Sequence, residues 1–313
     1  MDGLIILRPK PWVSKSVKLF VENAFKVPMR TGIMRRMQSL SIGFIGGGNM
    51  AGAILGGLRA AGVEASRLQV VEPFEAQRQR LREQFGVEAS AEPDARLARV
   101  DVLVWAVKPQ QFAQAARTLR EQCPASAGAL HLSIMAGVRC HAIAARSGAE
   151  RVVRTMPNTP ALIGRGVTGL YANPACGAAE RELAERVLGA TGQLAWVDEE
   201  AQLDAVTAVS GSGPAYVFYV LEAMTAAGVR LGLPEDTAKR LALGTIAGAA
   251  ALAEASPLSA GQLREQVTSK GGTTAAALEV LAARDVAGAF DQALQAAARR
   301  AGELADALER DAS

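Results

Sequence analysis

The sequence predicts an α/β fold, an N-terminal doubly wound parallel sheet followed by an all-helical second domain. Three observations carry that reading. From residue 40 to about 171, short apolar runs alternate with helical stretches, and several runs are continuously apolar, as strands covered on both faces are. After about Trp196 the strand signals stop and helical periodicity continues towards the end of the chain. Half of the 313 residues are apolar, yet only 4% are aromatic and 31 are Gly, so the core must consist of small and aliphatic side chains.

Strands are expected at residues 40–45, 68–71, 100–107, 130–134, 151–156 and 167–171. Helices at 75–85 and 110–120 fall between them, the order of βαβ units. The second half reads as helices at 201–209, 214–231, 234–255, 259–267, 274–283 and 286–308. Pro214 and Pro234 suit first-turn positions, where a missing N–H costs nothing. Ser259 with Gln262 three residues on reads as a capping box. An Ala- and Gly-rich helical domain of this size is suited to intertwining with a second copy, so self-association is expected.

Charge and cysteine content exclude several classes. The net charge is +3, but residues 1–40 hold eight basic against two acidic side chains, which leaves −3 on the rest. A nucleic-acid footprint needs a basic stripe on the folded body, and none is expected. Cys123, Cys140 and Cys176 show no CxxC spacing, which speaks against a disulfide framework or a metal site and for a reducing, cytoplasmic setting. The apolar runs between 241 and 253 are far shorter than the ~20 residues of a membrane span. Residues 1–39 lack the apolar core and cleavage site of a secretory signal. They read as a basic leader outside the fold, transit-like or a start-site artefact, with Met34 and Met37 just before the first strand.

The residues that carry chemistry begin with the run from Ile45 through Gly46, Gly47, Gly48, Asn49 and Met50 to Ala51. It places a G-x-G-x-x-A fingerprint between a strand and a helix, where one Gly permits the turn, the next lets a pyrophosphate approach and Ala51 packs closely. Glu72 follows the second strand, 26 residues after Gly46, near the spacing at which a carboxylate accepts from the ribose 2′-hydroxyl. Local physics there favours NADH over NADPH, although Arg78 or Arg80 one turn on offers a phosphate partner. Ala106, Val107, Lys108 and Pro109 close another strand at the ligand-binding edge of such sheets. His131 and His141 read as structural. No nucleophile-and-base arrangement stands out, which suits hydride transfer, since the cofactor supplies that chemistry. The turns at Ser210–Tyr216 and Val267–Thr274 present N–H groups and hydroxyls at helix starts, a setting for a small carboxylate.

These motifs resemble the pyrroline-5-carboxylate reductase family over residues 40 to about 310: IGGGNMA, AVKP at 106–109, MPNTP at 156–160, SGSGPAY at 210–216 and VTSKGGTT at 267–274. The resemblance implies a dinucleotide-binding Rossmann domain at 40–200 and a helical dimerisation and substrate domain at 201–313, with dimers often assembled into decamers. It implies reduction of 1-pyrroline-5-carboxylate to L-proline by NADPH or NADH. Ile45 to Met50 would hold the dinucleotide, Ala106 to Pro109 the nicotinamide side, and Gln266 a cofactor from the partner chain. Ser269, Gly271, Gly272, Thr273 and Thr274 would hold the substrate carboxylate, with the Thr274 hydroxyl at the ring nitrogen and Lys108 beside the reaction. Glu200 is carried over to the substrate site. This chain departs from the family pattern at Glu72, where a small polar residue that contacts the 2′-phosphate is common, and at Lys270, where Pro is common. Other readings are a β-hydroxyacid dehydrogenase-like enzyme, another imine reductase, or a non-catalytic dinucleotide sensor.

Overall fold

The computed structural model describes residues 39–310. The leader expectation for 1–39 therefore lies, but for Ser39, outside the described residues. The described chain forms one eight-stranded sheet in the order β3-β2-β1-β4-β5-β6-β7-β8. The strands are β1 (Ile42–Ile45), β2 (Leu68–Val71), β3 (Ala89–Ser90), β4 (Val102–Trp105), β5 (Leu130–Ser133), β6 (Val152–Met156), β7 (Gly166–Ala172) and β8 (Gly192–Trp196). Helices α1 (Asn49–Ala60), α2 (Glu75–Phe85), α3 (Phe112–Gln122), α4 (Cys140–Ser147) and α5 (Ala178–Leu188) accompany them. The first six strands pair in parallel, with the order reversing beside β1.

Period-2 alternation puts one residue set on each face of the sheet. Ile42 and Phe44 of β1 and Val102 and Val104 of β4 join a core with Ile54, Leu55 and Leu58 of α1. Ile45, Leu103 and Trp105 point the other way and pack with Phe112, Leu119 and Ile143. Both faces are therefore covered, which explains the continuous apolar runs in the sequence. Each fully buried Leu or Phe contributes roughly 1.5–3 kcal/mol of transfer free energy.

The sheet is parallel through its first six strands, as the sequence predicts, and reverses only towards its far edge. β7 pairs antiparallel to β6, and β8 follows β7 in parallel. Nine residues separate β6 from β7, too few for a crossover of a dozen or more residues, so the chain can only turn back. Two strands have no counterpart in the sequence expectation. β3 is two residues long, too short to show a period. β8 carries little apolar alternation and is held instead by Trp196, whose Nε1 donates to Glu185 at 2.6 Å beneath the Arg181 guanidinium.

The helices of the second half are α6 (Gln202–Val206), α7 (Gly213–Arg230), α8 (Glu235–Ala255), α9 (Ala260–Gln266), α10 (Thr273–Ala283) and α11 (Val286–Arg310). A π-helical turn, Thr207–Gly211, replaces the end of the helix expected at 201–209. Pro214 sits in the first turn of α7 as expected, whereas Pro234 precedes α8 in an extended conformation. The Ser259–Gln262 capping box forms in both directions, at 3.3 and 2.9 Å. No single described helix is long and apolar enough to cross a membrane; α8 and α9 reach that measure only together, bent by 118°.

The described residues cluster into two compact units. One unit runs to Val206 and regains the chain at Gly302; the other is Thr207–Ala301. The return has a local cause. Ala305 and Leu308 pack within 3.5 Å of where a Cβ on Gly137 would lie, and Arg139 pairs with Asp306 at 2.6 Å and Glu309 at 2.8 Å.

Candidate active site

The glycine loop after β1 shows why its residues are small. Gly46 has φ +99°, and a Cβ there would lie 2.5 Å from the Ala106 carbonyl oxygen, so both conformation and the approach to β4 require Gly. A Cβ on Gly47 would meet Leu81 at 2.7 Å. Gly48 differs: nothing lies within 4 Å of its Cβ position, and no side chain caps the start of α1. Open space over an uncapped helix start, where N–H groups converge, is the geometry that admits a phosphate.

A cleft of about 640 Å³ opens at this edge of the sheet, large enough for much of a dinucleotide. It brings together Ile45, Gly46, Gly48, Glu72, Ala106, Val107 and Lys108, seven of the residues expected to bind cofactor. Four others lie off its wall. The Gly47 N–H donates to Glu72 Oε2 at 2.9 Å and its carbonyl accepts from Gln77. Asn49 accepts from Arg80 at 3.0 Å, and Met50 is half-buried in the first turn of α1. Pro109 opens a 3-10 turn and lines a separate cavity of about 160 Å³ beside α3 and α4. Sequence reasoning missed Glu92 and the polar face of Gln111, Gln114 and Thr118. The spacing of three and four along that last set, around the start of α3, was the available signal.

The expected substrate residues belong to the second unit, apart from Glu200. Gln266 ends α9. The turn that follows places Gly271 at φ +71° and lets the Gly272 N–H donate to the Ser269 carbonyl at 3.0 Å. A Cβ on Gly272 would lie 2.5 Å from Ser269 Oγ, so a side chain there requires the Ser269 hydroxyl to swing away. No side chain caps α10 at Gly272; Thr273 is exposed at its first position and Thr274 half-buried. Lys270 is exposed.

Glu200 has a structural engagement that the sequence did not reveal. Its Oε1 accepts from Arg154 at 2.7 Å and from the Cys140 N–H at 2.7 Å, which ties β6 to the start of α4. Burial, followed by the nearby Glu200 charge, pushes the Cys140 thiol well above its ordinary range, and burial likewise raises Cys123 and Cys176. None is a thiolate nucleophile near neutral pH. His131 is structural: Trp105 Nε1 donates to its Nδ1 at 3.0 Å, Nε2 meets the Ser126 carbonyl at 3.1 Å, and burial pulls its pKa down to about 4. His141 is exposed beside Glu309. Among the described residues no group of three His, Cys, Asp or Glu side chains is placed to hold a metal ion.

Comparison with known proteins decides among the readings. A family model described as pyrroline-5-carboxylate reductase dimerisation matches residues 200–304, and one described as NADP oxidoreductase coenzyme F420-dependent matches 41–137. The pyrroline-5-carboxylate reductase of Pseudomonas aeruginosa is 45% identical over 278 residues, covering 87% of this chain and 99% of its own length. The chain belongs to the pyrroline-5-carboxylate reductase family. The Haemophilus influenzae reductase is 40% identical, with 86% and 98% covered. The solved reductase of Coxiella burnetii matches with a TM-score of 0.80 at 38% identity over 85% of this chain and 98% of its own. The Plasmodium falciparum enzyme, solved with NADP bound, matches at 0.75 and 26% over 86% and 99%. The family's dimerisation region accounts for a feature of the second unit: Phe218, Tyr219, Leu231 and Leu241 are more than half exposed, and Ala208, Ala238 and Ala242 are the buried hydrophobics there among the described residues.

Proposed function

We propose that this chain reduces 1-pyrroline-5-carboxylate to L-proline, the last step of proline biosynthesis, with its dinucleotide held in the β1–β4 edge cleft and its substrate in the turn at 269–274. The observation that carries the reading is the family match over nearly the full length of the Pseudomonas reductase, joined to a cleft that gathers seven expected cofactor residues. When bound, NADPH or NADH supplies the hydride for the imine carbon.

The chain's own residues bind and orient. The N–H groups around Gly48 hold the pyrophosphate, and Ala106 and Val107 line the nicotinamide side, with Pro109 behind them. Lys108, exposed at the mouth of the cleft, adds a positive charge near the reacting groups. The N–H groups at Gly271 and Thr273 take the substrate carboxylate at the positive end of α10, with Gly272 shaping the turn between them. The Thr274 hydroxyl hydrogen-bonds the ring nitrogen, Ser269 completes the surround, and Gln266 reaches the cofactor from the partner chain. A protonated imine is already electrophilic, so orientation and desolvation suffice and no strong acid is needed. The exposed apolar surface of the second unit supports a homodimer, and we extend this to a decamer of five dimers acting in the cytoplasm. Purified protein is assayed with pyrroline-5-carboxylate and either dinucleotide in parallel. Oxidation coupled to proline formation is expected; no turnover with either overturns the assignment. Light scattering tests the assembly.

A further inference from the structure

NADPH differs from NADH by a phosphate on the adenosine ribose, a group carrying about −1.5 to −2 charge near pH 7. A site for it needs cations or hydrogen-bond donors. The end of the cleft that follows β2 and β3 presents the reverse. Glu72 and Glu92 both line it, and the Glu72 N–H donates to the Ser90 carbonyl at 2.8 Å, which sets the two strand ends side by side.

The Glu72 carboxylate is fixed. Its Oε2 accepts from the Gly47 N–H at 2.9 Å and its Oε1 from the Phe74 N–H at 3.0 Å, and the residue is 7% exposed. Swinging it aside would break two charge-assisted bonds and leave the glycine loop without its brace. Each oxygen retains a lone pair that can accept from a ribose 2′-hydroxyl, and neither can donate to a phosphate.

The nearby cations already have partners of their own. Arg78 Nη1 donates to the Glu72 and Pro73 carbonyls at 2.9 and 2.7 Å, and its Nη2 pairs with Glu75. Arg80 donates to Asn49 at 3.0 Å and Gln84 at 3.2 Å. Lys108 lines the cleft, but it follows β4, two strands from β2, or about 10 Å at the spacing of a sheet.

We infer that this chain selects NADH over NADPH, with Glu72 as the specificity-determining residue and Glu92 as a second repulsive charge. The inference rests on the proposed function, because it takes the cleft to be the dinucleotide site. It is tested by calorimetric titration of the full chain with NADH and NADPH, and with ADP-ribose and its 2′-phosphorylated form, all without substrate. NADH is expected to bind on the order of tenfold or more tightly than NADPH, with the same order in the fragments. Glu72→Gln, which keeps the shape and one acceptor, shrinks that ratio about tenfold, and Glu92→Gln shrinks it less. The unmodified chain gives an independent readout: raising salt narrows the ratio, because screening weakens like-charge repulsion. Equal or tighter binding of NADPH overturns the inference and leaves the reductase assignment standing. A ratio unmoved by salt and by either substitution removes the two carboxylates from selection. Failure of both dinucleotides to bind overturns the cleft assignment, and the inference falls with it.

Discussion

Two glycines two residues apart in the same loop should respond to the same substitution in opposite ways. At Gly46, a Cβ meets the Ala106 carbonyl oxygen at 2.5 Å with the backbone at φ +99°. The left-handed conformation alone costs an Ala roughly 1–2 kcal/mol, and relieving the clash means moving β1 from β4. Gly46→Ala should therefore lose at least about 2 kcal/mol, or roughly 4–8 °C in Tm for a unit of this size. At Gly48 the Cβ position is open and φ is −66°. The exchange at this N-cap costs about 1 kcal/mol or less, yet the new methyl stands where a pyrophosphate must approach the N–H groups of α1. Gly48→Ala should fold with Tm within a few degrees of the parent and bind NADH or NADPH on the order of tenfold or more weakly. Scanning calorimetry and titration on both variants separate the effects. Unchanged dinucleotide affinity in a folded Gly48→Ala variant would refute the reasoning, because it would place the phosphates elsewhere.

Further outcomes are expected at other sites. Thr274→Ala should lower turnover while leaving the dinucleotide Kd nearly unchanged; an unaltered kcat would remove its hydroxyl from the reaction. Glu200→Ala strands Arg154, whose side chain is 7% exposed, and should destabilise the first unit by about 3 kcal/mol in urea unfolding; a loss below about 1 kcal/mol would deny the pair that role. His131 is neutral in the fold down to about pH 4, whereas an unfolded chain takes up its proton below about 6.5. Stability is then fully present above pH 6.5 and declines between 6.5 and 4, by about 3 kcal/mol in all. His131→Gln should show an acid-side decline smaller by that amount, and identical pH profiles would contradict the depressed pKa.

The parts of the fold that announce themselves in the sequence are those where local pattern and tertiary role coincide. β1 and β4 read as continuous apolar runs because both faces are buried, and α2 spans the residues its periodicity predicts, with Gly86 in the left-handed region at its end. β8 is legible only through a tertiary contact, the seat of Trp196 on Arg181 and Glu185, and the reversal at β7 follows from a short connection and not from any residue type. The return of α11 to the first unit depends on Arg139 finding Asp306 and Glu309 some 170 residues away, a pairing no window of sequence contains.

The same division runs through the site. The glycine loop was readable because its fingerprint states a backbone requirement, and Gly46 and Gly48 meet it in the two ways the pattern separates: one glycine for the chain's own packing, one for a ligand. Glu72 was readable as an acid near the ribose, but what makes it selective is the pair of N–H groups that hold it and the spending of Arg78 on backbone carbonyls. An acidic residue on a free side chain could turn away and let a phosphate in; one that braces the loop cannot do so without loosening the N–H groups that bind the pyrophosphate. Cofactor selection and phosphate binding are thereby coupled through a single carboxylate. A variant that gains NADPH by replacing Glu72 should accordingly weaken its hold on the dinucleotide portion the two cofactors share.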